Sequence, residues 1–275
     1  MKIENLKYAK GEASKKIIEA SPVFESESKN SDIISGFSTV AADYSKGAPY
    51  LSTKIMFILS GGSKRERDYF RPLKTDRHVR SIRIAFRSND GQGLKPYELK
   101  TLAEEFIERK QFVTEDNQSY RIEEEDMIYL LQDVDEFSDE LKVYLTGNNS
   151  QTRYNWIISN PSFEIWLYYH YSDTTEPLSK GINMSARDRS NWLKEYLNTI
   201  VAGGVKTTKA LYIVESAIAN SRKNYGEDNS LPKLYSTQMH IIGESILSIM
   251  QTEFHDMKNR QAERIAFYKN RIKRN

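Results

Sequence analysis

Between Lys54 and about Tyr171, the sequence alternates short apolar runs with segments in which apolar residues recur at helical spacing. The apolar runs predict strands at residues 55–59, 82–86, 127–131 and 154–158. The intervening and following segments predict helices, one beginning near Ser63 and others over residues 99–107, 136–145 and 163–169. Strands that alternate with helices usually form a parallel sheet covered by helices. The pattern therefore predicts an α/β fold with a mostly parallel sheet.

The regions on either side of this pattern differ from it. Residues 1–50 are rich in Ser, Lys and Glu and have few periodic signals, which predicts an irregular N-terminal arm. The α/β domain is predicted over residues 51–172, followed by an all-helical region over residues 173–275. Signals for this region are helical patterns at 192–200 and 210–218 and a stripe formed by Ile242, Ile246, Ile249 and Met250. Such a stripe can dock a partner, although more often it is simply core.

The formal net charge of +2 conceals an uneven distribution. Residues 115–140 include eleven acidic residues and a single basic one, whereas residues 64–87 include nine Lys or Arg against three Asp or Glu. The stretch 258–275 has seven Lys or Arg and one Glu. This zoning suits an acidic metal pocket flanked by a phosphate-binding surface, although solvated helix faces also produce such charge runs.

The absence of cysteine excludes disulfides, thiolate metal sites and a cysteine nucleophile. The first residues contain no continuous apolar segment, and no uncharged apolar run approaches the roughly 20 residues of a membrane span. We therefore expect a cytoplasmic protein that does not enter a membrane.

The strongest candidate for chemistry is the Asp133-Val134-Asp135 sequence, which directly follows the third apolar run. Two carboxylates at the end of a buried strand can provide hard oxygen ligands for Mg²⁺ or Mn²⁺. A metal there would hold a phosphate and lower the pKa of bound water, as phosphodiester cleavage requires. Surface turns also contain Asp-x-Asp sequences, so the position after a strand is what favours a metal site.

A glycine turn, Ser60-Gly61-Gly62-Ser63, follows the first apolar run. Gly61 and Gly62 would let the backbone approach a phosphate, which Lys64 or Arg65 at the start of the next helix would bind. Ser63 is a candidate helix cap, with Glu66 three residues further on. The P-loop spacing is absent, which disfavours nucleotide hydrolysis. A turn that only requires positive φ would look the same.

A third group of polar residues lies at the last predicted strand-to-helix junction. Asn160 can present its side chain to the site, and Glu164 is expected within reach of a metal held by the Asp pair. His170, further along the same helix, is a candidate ligand or base, although a structural histidine is the safer interpretation.

In order and content, these three pieces resemble the RloB family, a TOPRIM-like group. Its signature runs Glu-Gly-x-x-x-Glu-x-x-Tyr-Phe, then Asp-x-Asp, then Ser-Asn-Pro-x-Phe-Glu-x-Trp-Leu. The second and third motifs are intact here as Asp133-Val134-Asp135 and residues 159–167, and the first begins at Gly61. The resemblance implies a TOPRIM-like fold, a divalent metal and nuclease activity on DNA or RNA in antiphage defence, with an ATPase partner protein.

One departure from the family signature bears on activity, because Gly61 stands where the family has its first glutamate. That glutamate is the proposed general acid/base or a metal ligand, and glycine can be neither. Glu66 or Glu164 is a candidate substitute, with Asp133, Asp135 and Glu164 as expected metal ligands. The alternative is a degenerate domain that binds metal and nucleic acid, or a partner protein, without cutting. Whether the chain forms a homo-oligomer is left open.

Overall fold

The computed structural model describes residues 53–89, 93–146 and 152–274, with side chains up to Arg271. The arm predicted over residues 1–50 lies outside the described residues. The chain separates after Pro49, and Tyr50–Asn275 form one compact unit that includes both the α/β part and the C-terminal helices.

The central sheet has four strands: β1 (Lys54–Ser60), β2 (Ile82–Arg87), β5 (Ile128–Asp133) and β6 (Tyr154–Ser159). They are parallel, and their order across the sheet is β2-β1-β5-β6. The α/β fold with a mostly parallel sheet is therefore confirmed, and each strand coincides with a predicted apolar run. Strand β5 continues two residues beyond the predicted run, so Asp133 still pairs in register with Ser159 of β6.

The sheet separates two hydrophobic cores, because alternate strand residues point to opposite faces. Met56 and Ile58 of β1 enter one core, whereas Phe57 and Leu59 enter the other. The first core joins the sheet to the C-terminal helices, and the fully buried Trp166 is its largest side chain. The predicted stripe belongs to this core: Ile242, Ile246 and Met250 are buried in it and Ile249 packs against it.

The helices confirm the predicted helical C-terminal region. Their bounds are α1 Arg65–Thr75, α2 Pro96–Glu108, α3 Ser138–Thr146, α4 Glu164–Tyr169, α5 Ala186–Leu197, α6 Thr207–Ala210, α7 Val214–Asn224, α8 Met239–Met250 and α9 Thr252–Arg274. Short 3₁₀ turns lie at Glu176–Gly181 and Leu211–Ile213.

Two small antiparallel hairpins were not predicted: β3 (Gln111–Val113) with β4 (Ser119–Arg121), and β7 (Glu227–Asp228) with β8 (Leu231–Pro232). Their strands are too short for an alternating pattern to emerge.

The expectation that Ser63 caps the first helix is wrong. Helix α1 begins at Arg65, its N-cap residue is Lys64, and the Lys64 side chain makes no capping hydrogen bond with the described residues. Instead of serving a capping box, the Glu66 side chain is buried with 6% exposure. None of the helices within the described residues is long and apolar enough to cross a membrane.

Candidate active site

The carboxyl ends of β1, β5 and β6 form one edge of the sheet, where ligands bind in open α/β sheets. Asp133 ends β5 at this edge, beside Ser159 at the end of β6. The chain then leaves the sheet, and the backbone N–H of Asp135 donates to the carbonyl of Pro161 at 3.1 Å. The Asp-x-Asp segment and the third motif are thus adjacent in space, as the sequence order predicted.

Glu66 reaches this edge from the first turn of α1. Its carboxyl group lies against the backbone of Gly62, because a Cβ atom on Gly62 would come within 2.0 to 2.3 Å of the three carboxyl atoms. Gly62 is therefore needed for a close approach rather than for positive φ. The glycine turn thus makes room for the buried Glu66 carboxylate. From the sequence, the same turn was predicted to bind a phosphate.

Glu164, the first residue of α4, is 3% exposed and supplies another carboxylate. Its Oε1 atom lies 2.7 Å from Nη1 of Arg65, whose side chain is 35% exposed. Arg65 thus neutralises a buried carboxylate in this structure. It would have to share or leave that partner to bind a phosphate.

Asp135 adopts a φ of +27°, an uncommon backbone conformation for a residue other than glycine. Its Oδ1 atom accepts a hydrogen bond from the Ser190 hydroxyl on α5. A cleft of about 400 Å³ opens beside them, and Arg187, Asn191 and Lys194 of the same helix also line it. The sequence interpretation missed these α5 residues, because nothing near residues 187–194 indicates that the helix faces the site.

Burial and mutual repulsion dominate the electrostatics of the cluster. Burial raises the pKa of Asp133 well above its usual value, and Glu66, Glu164 and Asp135 add to the rise in that order. Burial likewise raises the pKa of Glu66 to about 7, with Glu164 adding to the rise. Lys194 opposes the rise for Glu66, Asp133 and Asp135. Asp133 therefore lies close to carboxylates from three different segments, and not only to Asp135 of its own motif.

The charges of the cluster suit a divalent cation. When fully ionised, four carboxylates face two cations, an excess of two negative charges: Glu66, Asp133, Asp135 and Glu164 against Arg65 and Lys194. Over the described part of the chain, no three carboxylate or imidazole groups are arranged as a ready-made metal site. Mg²⁺ often uses only one or two carboxylates and completes its coordination with water. The donor chemistry therefore fits such an ion, whereas the described side chains do not form a preformed cage.

Gly61 contacts Gln132, which precedes Asp133. A Cβ atom on Gly61 would lie 2.4 Å from Oε1 of Gln132 and 3.0 Å from the carbonyl oxygen of Leu94. Gln132 is 6% exposed, and its Oε1 atom has no hydrogen-bond partner among the described residues. The Gln132 amide thus occupies the space into which a side chain at position 61 would extend.

The remaining predicted residues lie at or near this edge. Lys64 is exposed at the N-cap of α1. The side-chain amide of Asn160 donates to the carbonyl of Pro232 at 2.8 Å, so it holds the segment before α8. Its role in phosphate binding stays a prediction.

His170 has the features of a structural histidine. It is 3% exposed, its Nδ1 atom lies 2.9 Å from the carbonyl of Trp166, and its Nε2 atom lies 3.3 Å from the Tyr69 hydroxyl. Because the carbonyl only accepts, Nδ1 carries the proton and Nε2 accepts from Tyr69. Burial lowers the pKa of His170 to about 4, so the ring is neutral near pH 7.

We expect Glu66→Gln to stabilise the metal-free protein at pH 8 by about 2 to 3 kcal/mol. A folded-state pKa of about 7, raised from 4.5, means that stability is lost as pH rises between these values. The neutral amide of the Glu66→Gln variant avoids this loss. The difference in free energy of unfolding between Glu66→Gln and the parent should therefore shrink as pH falls from 7 towards 4.5. Urea unfolding in EDTA across this pH range measures it.

The control for this experiment is Glu108→Gln, which removes an exposed carboxylate at the end of α2. It should change the free energy of unfolding by less than about 0.5 kcal/mol at every pH in this range. A Glu66→Gln variant less stable than the parent at pH 8 would contradict the interpretation of Glu66 as a destabilising buried charge.

The fold and this site define an α/β protein with a carboxylate cluster at the carboxyl edge of a parallel sheet. The sequence matches the family of RloB-like proteins over residues 56–246. The chain therefore belongs to the RloB-like family, as the three motifs suggested. Comparisons with curated proteins and with solved structures find no match.

Proposed function

We propose that this protein is a Mg²⁺- or Mn²⁺-dependent nuclease that hydrolyses phosphodiester bonds of DNA or RNA at the Asp133 cluster. The observation that carries the proposal is the gathering of Glu66, Glu164 and Asp135 around Asp133 at the sheet edge, where each of the three repels the Asp133 carboxylate, beside the cationic side chains of α5. Such an arrangement suits the binding of a divalent cation next to a phosphate.

Asp133 would hold the ion together with Asp135 or Glu66, with Glu164 completing or orienting the site. A bound divalent ion stabilises the charge that develops on a phosphoryl group and acidifies its water. When Asp135 rather than Glu66 holds the ion with Asp133, Glu66 is left to exchange a proton with water or with the leaving oxygen, and burial raises its pKa to about 7 in the metal-free protein. Glu66 is thus the best candidate to replace the glutamate that the family has at position 61.

The cations of the cleft would position the phosphate. Lys194 and Arg187 line the cleft together with Asp135, and Arg65 pairs with Glu164. A phosphodiester placed between them would replace the internal neutralisation that Arg65 and Lys194 provide in this structure. The backbone of Gly62 leaves room for the Glu66 carboxyl group, and contact of Gly61 or Gly62 with the phosphate stays part of the proposal.

Family membership and the motifs support a biological setting for this activity. We propose a role in bacterial antiphage defence, with an ATPase partner protein and a cytoplasmic location. The support for the partner is the resemblance alone, and the chain itself carries no P-loop.

A second candidate function has a specific observation in its favour. With Gln132 filling the space beside Gly61, the cluster lacks one carboxylate that the family signature includes. A domain that binds metal and nucleic acid without cutting, as a sensor or regulatory subunit, would fit this arrangement.

Cleavage assays separate the two candidates. Labelled plasmid, single-stranded DNA and tRNA are incubated with the full chain in Mg²⁺, Mn²⁺ or EDTA. The nuclease proposal expects cleavage of at least one substrate with either metal and none in EDTA. Binding without cleavage in the presence of both metals would support the non-catalytic alternative, and metal-independent cleavage would exclude a metal-dependent site.

A further inference from the structure

A basic groove lies between the C-terminal end of α1, helix α6 and helix α9. It consists of two adjoining concavities of about 330 and 320 Å³, which share the side chains of Thr75, Tyr212, Gln261 and Arg264. The groove joins residues about 190 positions apart in the sequence, because Arg71 on α1 and Arg264 on α9 line the same concavity. The two basic segments recognised in the sequence thus meet at one surface.

The charge of the groove is strongly positive. The first concavity is lined by Arg71, Lys209 and Arg264 and by no carboxylate of the described residues. The second adds Arg77 and Arg260, with Asp76 as the one acidic residue among its described lining. Cations without a matching number of carboxylates create a local potential that attracts a polyanion.

Several of these cations are available to a ligand. Lys209 and Arg264 are exposed and form no ion pair with any residue that the structure describes. Within the described part of the chain, Arg71 pairs only with the neighbouring Asp68 on its own helix, at 2.5 Å, and its side chain is 56% exposed. Arg260 instead binds Asp76 at 3.0 Å, an ion pair that holds α9 against the end of α1.

Aromatic rings lie among the cations. Tyr212 and Tyr268 line the first concavity, and Tyr268 is 51% exposed. Tyr212, Arg260 and Arg264 line the second concavity together. Burial and the nearby Asp76 raise the pKa of the Tyr212 phenol, whereas Arg264 and Arg260 oppose that rise. Rings interleaved with cations are the pattern by which proteins bind single-stranded nucleic acid, through stacking on bases and pairing with phosphates.

We propose that this groove binds the backbone and bases of single-stranded nucleic acid, outside the carboxylate cleft. The charge of the groove calls for a polyanion, and the choice of nucleic acid over other polyanions rests on the proposed function. Single strands are favoured over duplexes because the bases of a duplex are stacked inside it and cannot reach Tyr212 or Tyr268.

The groove and the cleft lie at opposite ends of α1. Arg65 and Glu66 are at the cleft end, whereas Arg71 and Thr75 are at the groove end, so the two sites are about 15 Å apart along the helix axis. A nucleic-acid strand that spans this distance would occupy the groove and the cleft at once, so the groove would retain the substrate during cleavage.

The test is binding of labelled oligonucleotides of about 20 nucleotides, measured by fluorescence anisotropy in EDTA with the full chain. We expect the double variant Lys209→Glu/Arg264→Glu to bind single strands at least about tenfold more weakly than the parent. The affinity of the double variant should also depend less on salt: between about 50 and 200 mM, the negative slope of log affinity against log salt concentration should become shallower by about 1 to 2. Both residues are exposed, so the variant should keep the parent's melting temperature.

Lys142→Glu is the matched control, because it reverses an exposed charge on α3, which packs on the opposite face of the sheet. It should bind single strands as tightly as the parent does.

Equal binding by the double variant and the parent, or tighter binding of the parent to the duplex of the same sequence, would overturn the proposal. If the groove variants lose binding but no substrate is ever cleaved, the nuclease proposal fails and the groove stands. If cleavage occurs and the groove variants bind normally, only the groove proposal fails.

Discussion

Replacing Asp133 with Asn is expected to reduce metal-dependent cleavage at least about 1,000-fold, equivalent to about 4 kcal/mol of transition-state stabilisation. Asp133 ends β5 at the edge of the sheet and carries the carboxylate that Glu66, Glu164 and Asp135 all repel. The Asn side chain has nearly the same shape as that of Asp, but its amide oxygen is neutral and is a weaker metal ligand. The rate of cleavage of the preferred substrate in Mg²⁺ measures the effect.

Stability measurements separate a lost function from a lost fold. In EDTA, Asp133→Asn should be at least as stable as the parent, because the raised pKa of Asp133 shows that its ionised form is disfavoured in the folded protein. Mg²⁺ should raise the melting temperature of the parent and leave that of the variant unchanged.

Asp139→Asn is the matched control for this experiment. It lies six positions further along the chain, at the start of α3, and its side chain is 98% exposed. We expect cleavage within about twofold of the parent, since exposed substitutions rarely disturb a fold. Full cleavage by Asp133→Asn would remove the proposed site.

Gly93→Ala is expected to destabilise the protein by about 3 to 4 kcal/mol. Gly93 has a φ of +76°, and a Cβ atom there would lie 1.8 Å from the carbonyl oxygen of Gly61. That oxygen also accepts a hydrogen bond from the backbone N–H of Leu94 at 3.1 Å. Both contacting groups are backbone, so the clash can be relieved only by moving either the glycine turn before α1 or the loop that carries Gly93. Urea unfolding at pH 7 measures the loss.

Gly203→Ala provides the comparison, because its φ of +80° is nearly the same and nothing described lies within 4 Å of its added Cβ. It should cost about 1 to 2 kcal/mol, the penalty of the left-handed conformation alone. The difference between the two variants isolates the contact of Gly93 with the glycine turn. Equal losses would mean that the loop before α2 moves aside freely.

The strands of the sheet were predictable because each is a run of apolar residues that must be buried on both faces. The position of the Asp-x-Asp motif followed from this, since carboxyl ends of parallel strands share one edge. Helix starts were less predictable, as at Arg65, where the burial of Glu66 replaces the expected cap. The short hairpins carried no periodic signal.

The sequence by itself determined the α/β class, the helical C-terminal region, the RloB-like membership and the edge at which the carboxylates gather. These follow from local periodicity and from motifs read within a few residues of one another. Only the tertiary structure decided that Gly62 makes room for Glu66, that Gln132 fills the space beside Gly61, and that Ser190 and Lys194 face Asp135. It also brought α1 and α9 together as one basic groove. Such contacts depend on how distant helices pack across a sheet, and that packing is set by the shapes of many buried side chains rather than by any local pattern.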